Sequence, residues 1–451
     1  MSRSKIFVLL LFFCGAVCFS QKHSLVYQPK NLDSLQKHIA AITLKRNNQF
    51  TTSENKKEIK KILDSQKEGL LKDLTDSSYV FDPRINVYLK SVLQEIYKSN
   101  SEINPTDFYF LVDTSPIPNA ACWGNGIFTV NLGLFDLIEN DDELAFILCH
   151  EMAHQMLKHN DKSMLSHVQT IHSKDTKKKI SQAKNQRYGQ RKAVYEVMKT
   201  LNYDFLSRSR NAEIQADSLG FVFFSRTKYN KSAAVKSLKK LGTADTLLFA
   251  SDTRIRKHFN FDSYPFKEAW LAPEETLFDI KEKADDYAWN KDSLKSHPDI
   301  PLRIEKLQRL YSGTEGTPMS KGLLSIKKVS AENTIFSAID RHSIDMALYK
   351  ILVLKEENQI ENTEYNRTVA WILKRTYELK VSHRLGKYIS PVNPFSEEKY
   401  LNEVRLFLHN TELKNIRKIG LQFCLQHKDE MADDTEFASI TTFFSNLNPN
   451  N

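Results

Sequence analysis

The sequence predicts an α+β fold: a mostly helical body carrying a small β-sheet, followed by a helical C-terminal region. Three observations predict it. Apolar residues recur at helical spacing in many separate runs. Two short stretches, 107–115 and 127–135, are instead dense in aromatic and β-branched residues and read as strands. Between them "PNAACWGNG" carries the Gly and Asn of a loop or hairpin.

The elements follow in chain order. "MSRSKIFVLLLFFCGAVCFSQ" has Arg3 and Lys5 ahead of an apolar run from Ile6 to Phe19, then small residues. This is the layout of a secretory signal peptide cleaved after Ser20. The run is short for a membrane span. Cys18 offers an alternative lipid anchor, although Val17 before it is larger than such processing sites prefer. The mature chain is therefore expected to be exported, soluble or peripheral to a membrane, and periplasmic in a Gram-negative source. Residues 21–83 form an N-terminal helical segment, with periodicity at Leu35–Leu44 and Ile59–Leu71. The spacing over Ile85–Tyr97 predicts a helix with Val87, Leu89, Val92, Leu93 and Ile96 on one side. The strand at 127–135 is expected to run into a turn at Gly133.

The next helix starts at Asn140 or Asp141, either of which can cap it, with Glu143 in its first turn. Ala145, Leu148, Cys149, Met152 and Met156 mark a buried face, leaving His150, Glu151 and His154 on another side. Residues 161–191 are basic and polar, an exposed helix or arm, and helical periodicity returns at Val194–Phe205. Residues 251–296 are aromatic-rich and irregular. A composition shift at "SGTEGTP" (312–318) marks a linker before the C-terminal region, 312–451, with helical runs at Ala347–Leu354 and Val369–Leu379.

Composition narrows the function. A formal charge of +9 invites a nucleic-acid reading, but the basic residues are dispersed and no recognition motif accompanies them. No nucleic-acid partner is expected. Cys122, Cys149 and Cys424 remain after the leader, which is no disulfide framework.

The chemistry lies in "CHEMAHQMLKH" (149–159). His150 and His154 stand on adjacent helical turns, about 40° apart, and can both reach one metal ion. Glu151 is placed beside them to take a proton from a water that the metal activates. A catalytic zinc needs a third protein ligand and an open position. His159 is wrongly spaced for that ligand, and Leu157 and Asn160 stand where metzincins require Gly and His. Glu213, in "NAEIQAD", is the candidate, four residues before Asp217 on one helical face. Asp217 can then hydrogen-bond a ligand histidine. A solvated acidic face is the competing reading of Glu213 and Asp217.

"CHEMAHQMLKH", "SRSRNAEIQADSLG" and "HPDIPLRIEKL" resemble three consecutive blocks of the minigluzincin metallopeptidases. That family includes the CAAX prenyl protease, HtpX, the mitochondrial Oma protease and periplasmic proteases of the BepA type. "PNAACWGNGIFTVNLGLF" resembles the family's segment before the zinc helix, an Asn-Ala turn followed by an edge strand. The resemblance covers residues 84–311 as one metallopeptidase domain. It implies one Zn²⁺ per chain on His150, His154 and Glu213, with Glu151 as general base and Asp217 supporting the ligands. His297 and Arg303 match the later block, where a cation approaches the substrate carbonyl; a surface salt bridge to Glu305 or Glu282 is the alternative for Arg303. "CWGNG" departs from the family's Pro-Gly-Gly, and Trp123 within it either lines the cleft or packs as core.

What the resemblance implies is an exported zinc endopeptidase acting on unfolded or misassembled envelope polypeptides, docked in extended form along the edge strand. The alternative is a peptide-binding or assembly scaffold with a plugged or vestigial zinc site, in which 251–296 supplies the plug.

Overall fold

A computed structural model describes residues 25–185, 209–272, 300–311, 318–392 and 398–448. The expected leader with Cys18, the whole Val194–Phe205 run, His297 and the greater part of the 312–318 linker lie outside the described residues. The chain is mostly helical with one four-stranded mixed sheet, the α+β class expected.

Helices α1 (Leu32–Gln49) and α2 (Lys56–Thr75) form an antiparallel pair ahead of the sheet. Strand β1 (Tyr79–Val80) leads to α3 (Pro83–Ser99), which starts where Asp82 accepts a hydrogen bond from the Arg84 N–H and Pro83 occupies the first turn. Its buried face holds Ile85, Leu89, Val92, Leu93 and Ile96, but Val87 is 67% exposed and does not belong to it.

Strands β2 (Tyr109–Asp113), β3 (Ala120–Cys122) and β4 (Ile127–Asn131) complete the sheet, in the order β1-β2-β4-β3. β2 and β4 are parallel, with Leu111 opposite Thr129, and β3 returns antiparallel to β4, with Ala121 opposite Thr129. β3 is thus an edge strand, formed within the stretch that the sequence suggests is a loop or hairpin. The expected strand at 127–135 stops at Asn131. Residues Leu132–Leu137 form a short helix, α4, with Gly133 inside it rather than in a turn.

The motif helix α5 (Asp141–Met156) follows. The Asn140 side chain accepts the Glu143 N–H, a cap worth about 1 kcal/mol. Buried Glu143 in turn accepts the Glu139 N–H and pairs with Lys240 at 2.8 Å. The stretch after it is helical, forming α6 (His159–His172) and α7 (Lys174–Lys184) on either side of Ser173. A helix over 209–225, α8, then packs on α5, followed by α9 (Ala233–Gly242) and α10 (Ile300–Gln308).

Two large apolar cores result. The first joins β2 and β4, α3, α5, α8 and α9. The second gathers C-terminal helices α12 (Ile344–Glu356), α13 (Asn362–Val381), α14 (Lys399–Asn410), α15 (Leu413–Gln426) and α16 (Thr435–Asn446). Between them runs α11 (Lys321–Asp340), which gives Leu323, Ile326 and Val329 to the first core and Ile335 and Ala338 to the second. The described part of the aromatic stretch, 251–272, belongs to the second core: Phe259 stacks on Phe407 at 4.7 Å and Trp270 is buried beside them. A plug built from 251–272 is not what the structure shows. Residues 273–296 lie outside the described ones. Among the described residues no helix is long and apolar enough to cross a membrane.

Candidate metal centre

The centre is built where α8 crosses α5. A helix pair comes this close only where side chains are small, and Gly220 supplies the gap. A Cβ there would stand 2.9 Å from His150 Cα and 3.0 Å from His150 N. The crossing turns Glu213 and Asp217, one turn apart on α8, toward the two motif histidines.

His150, His154 and Glu213 offer ligand atoms that all lie within 4.8 Å of one another. His154 Nε2 is 3.0 Å from His150 Nε2 and 3.3 Å from Glu213 Oε1, and His150 Nε2 is 3.5 Å from Glu213 Oε2. Ligand atoms about 2.0–2.1 Å from a tetrahedral zinc stand roughly 3.3 Å apart, so the spacing matches such a shell. The donor set, two imidazoles and a carboxylate, is that of a catalytic rather than a structural zinc. The four-residue spacing converges on one point because α5 stays regular through Met156.

The expected faces of α5 need one correction. His150 and Glu151 are as buried as the apolar side, whereas Met156, expected in the core, is 39% exposed. The chemical face is roofed by α8 instead of open to solvent.

Around the three lies a buried charge network. His150 Nδ1 lies 2.9 Å from Asp217 Oδ1. Arg303 on α10 grips Asp217 with two hydrogen bonds, Nε to Oδ2 at 2.6 Å and Nη2 to Oδ1 at 2.8 Å, and places Nη1 2.9 Å from Glu213 Oε2. Such a fork fits a carboxylate's two oxygens and fixes the side chain that it holds. Burial alone would lower the His150 pKa, but Asp217 and Glu213 beside it outweigh that and raise it to about 10. Burial would raise Asp217, and the Arg303 and His150 contacts hold it below its ordinary value instead. The buried groups Glu151, Glu213 and Asp217 bring three carboxylates against the single guanidinium of Arg303. Left to themselves, such charges are costly to bury; a dication at the ligand atoms would balance them.

The sequence leaves Arg303 between an oxyanion donor and a surface salt bridge. Its position fits neither. It is 1% exposed, its guanidinium is committed to Asp217 and Glu213, and Glu305 pairs with Arg309. The geometry makes it a positioning group for the carboxylates. Trp123 packs on the small core of α1, α2 and β2 and donates Nε1–H to Thr129 Oγ1 at 3.2 Å. Cys122, Cys149 and Cys424 are free thiols.

Sequence reasoning missed His159. Excluded as a ligand by spacing, it nonetheless sits beside the site, its Nδ1 3.0 Å from His154 Nδ1 and its Nε2 3.1 Å from Gln215 Oε1. Burial, then the neighbouring His154, lowers its pKa to about 4.

The profile of Peptidase family M48 matches residues 83–311, from the first residue of α3 to the chain just beyond α10. The chain belongs to peptidase family M48. M48 enzymes are zinc metallopeptidases, and the histidine–histidine–glutamate cluster is suited to hold such an ion. No curated protein matches the chain. Within the M48 region, α5 is buried in one core together with α3, the sheet, α8 and α9.

Proposed function

We propose that this M48 protein is an exported zinc endopeptidase that cuts unfolded or misassembled polypeptides of the cell envelope. The observation that carries the hydrolytic reading is the convergence of His150, His154 and Glu213 beside buried Glu151, in a chain of the M48 family. Bound there, zinc would polarise the scissile carbonyl and make the attacking water more acidic. Glu151 then serves as general base, taking the water's proton and handing it to the departing amine. Its position between the two histidines in sequence, buried on the same helix, supports that role. Asp217 orients His150, and Arg303 holds Asp217 and Glu213 in place.

The preference for extended chain comes from β3. It is a sheet edge that packs beside α5, so a peptide adding to it as a further strand passes the histidines. Cys122 lies on that edge, with its Sγ 3.6 Å from Gln155 Oε1 on α5. Extended pairing demands an unfolded segment, hence misfolded substrates; the leader-like first 20 residues support export.

Residues 21–451 incubated with unfolded casein test this reading. Internal fragments seen by mass spectrometry, abolished by a chelator and restored by zinc, are expected. Terminal trimming alone would refute the endopeptidase reading, and unchanged cleavage under chelation would refute the metal reading.

A further inference from the structure

His150 and His154 receive different support behind the metal-facing nitrogen. His150 Nδ1 faces the Asp217 carboxylate at 2.9 Å. His154 Nδ1 faces an imidazole, His159 Nδ1, at 3.0 Å, and the rings meet edge to face, 77° between planes. His159 is only 7% exposed, and its Nε2 lies 3.1 Å from the side-chain oxygen of Gln215, two residues beyond Glu213 on α8.

The chain is bent to make this contact. Had α5 continued, His159 would stand five residues on and about 140° around the helix from His154. Instead α5 ends at Met156, and Lys158 adopts a left-handed conformation, φ 55°, that non-glycine residues rarely take. Such strained residues persist where surrounding structure requires them. The break begins α6 with His159 turned back under His154.

The protons along this chain can be assigned. A histidine that presents Nε2 to a metal carries its proton on Nδ1. His154 therefore donates Nδ1–H to His159 Nδ1, which must accept. His159 then carries its own proton on Nε2 and donates it to Gln215 Oε1. Every link has one donor and one acceptor, and no other tautomer of His159 satisfies both neighbours.

We infer that His159 is a positioning residue for the metal site, holding His154 in the tautomer and ring orientation that present Nε2 to zinc, with Gln215 fixing His159 in turn. The inference rests on the zinc reading above. It also makes the two histidine ligands unequal: His150 is backed by a carboxylate, and His154 by a neutral acceptor that lends less basicity.

Zinc affinity, measured by competition with a chromophoric chelator, and the visible spectrum of the cobalt(II) form test it together in residues 21–451. His159→Phe fills the space but cannot accept a hydrogen bond. His159→Asn can place its Oδ1 near where Nδ1 stood. The expected result is a 10–100-fold loss of zinc affinity and an altered cobalt spectrum for the Phe variant, with the Asn variant within about threefold of wild type. Equal loss in both variants, or none in the Phe variant, overturns the inference by showing that only packing matters. Gln215→Leu, at an exposed position, keeps the test decisive if the Phe variant fails to fold. It should weaken zinc several-fold, and no change would overturn the chain. Wild type that binds no zinc would sink the metal reading and this inference with it; wild type that binds one zinc beside unaffected variants sinks the inference alone.

Discussion

Arg303 is where the site's energetics are concentrated. Its fork holds Asp217, and its third nitrogen faces Glu213, all three side chains being nearly inaccessible to water. Removing one partner of a buried ion network leaves the others charged and unsolvated, which costs roughly 3–5 kcal/mol. Arg303→Met should therefore destabilise the metal-free protein by about that amount in urea denaturation. The loss should shrink when zinc is added, because the dication balances the stranded carboxylates. An equal loss with and without zinc would show that Arg303 acts by packing alone. At this scale the sequence was partly legible. His150, Glu151 and His154 are visible because their chemistry is local, written within five residues of one helix. Glu213 is 59 residues from His154, so its pairing with Asp217 makes it a candidate but leaves a solvated acidic face open, and resemblance to a family is what favours the ligand role. His159 was hidden because its contact depends on the left-handed turn at Lys158, and no residue type there announces such a turn.

At the scale of elements, the crossing of α5 and α8 sets the site, and Gly220 lies directly against the His150 backbone. Gly220→Ala puts a methyl group where backbone already stands, and backbone cannot rotate aside as a side-chain tip can. The helices must separate, carrying Glu213 and Asp217 from the histidines. Zinc affinity should fall more than tenfold while far-UV circular dichroism stays near that of wild type; unchanged affinity would mean that the crossing has slack. Helices were the most legible elements because long amphipathic runs repeat their signal over many turns. Short elements were not. β3 has three residues, Ala-Ala-Cys, with no β-branched side chain to mark it. Residues 132–135 continue an apolar run without periodicity, so a short buried helix reads as more strand.

Across the whole molecule, α11 makes the two cores dependent on each other. Its first half completes the core that supports α5, and Ser330 donates to the Leu132 carbonyl at 2.6 Å while Lys327 donates to the carbonyls of Asp136 and Ile138. A composition shift at 312–318 suggests a boundary, but Leu323, Ile326 and Val329 lie beyond it and belong to the peptidase core. A chain ending at residue 311 should expose that core and lose cooperative thermal unfolding, whereas one ending at residue 341 should keep it. Equal behaviour of the two would refute the dependence.

The reaction proposed for this protein is a Glu151-assisted, zinc-dependent hydrolysis between α5 and α8. Wild type and Glu151→Gln, each assayed for bound zinc and for casein cleavage, test it most directly. One zinc per chain is expected in both proteins, with cleavage lost by at least 100-fold in the variant because its general base is gone. A variant that keeps its zinc and cuts as fast as wild type would contradict it.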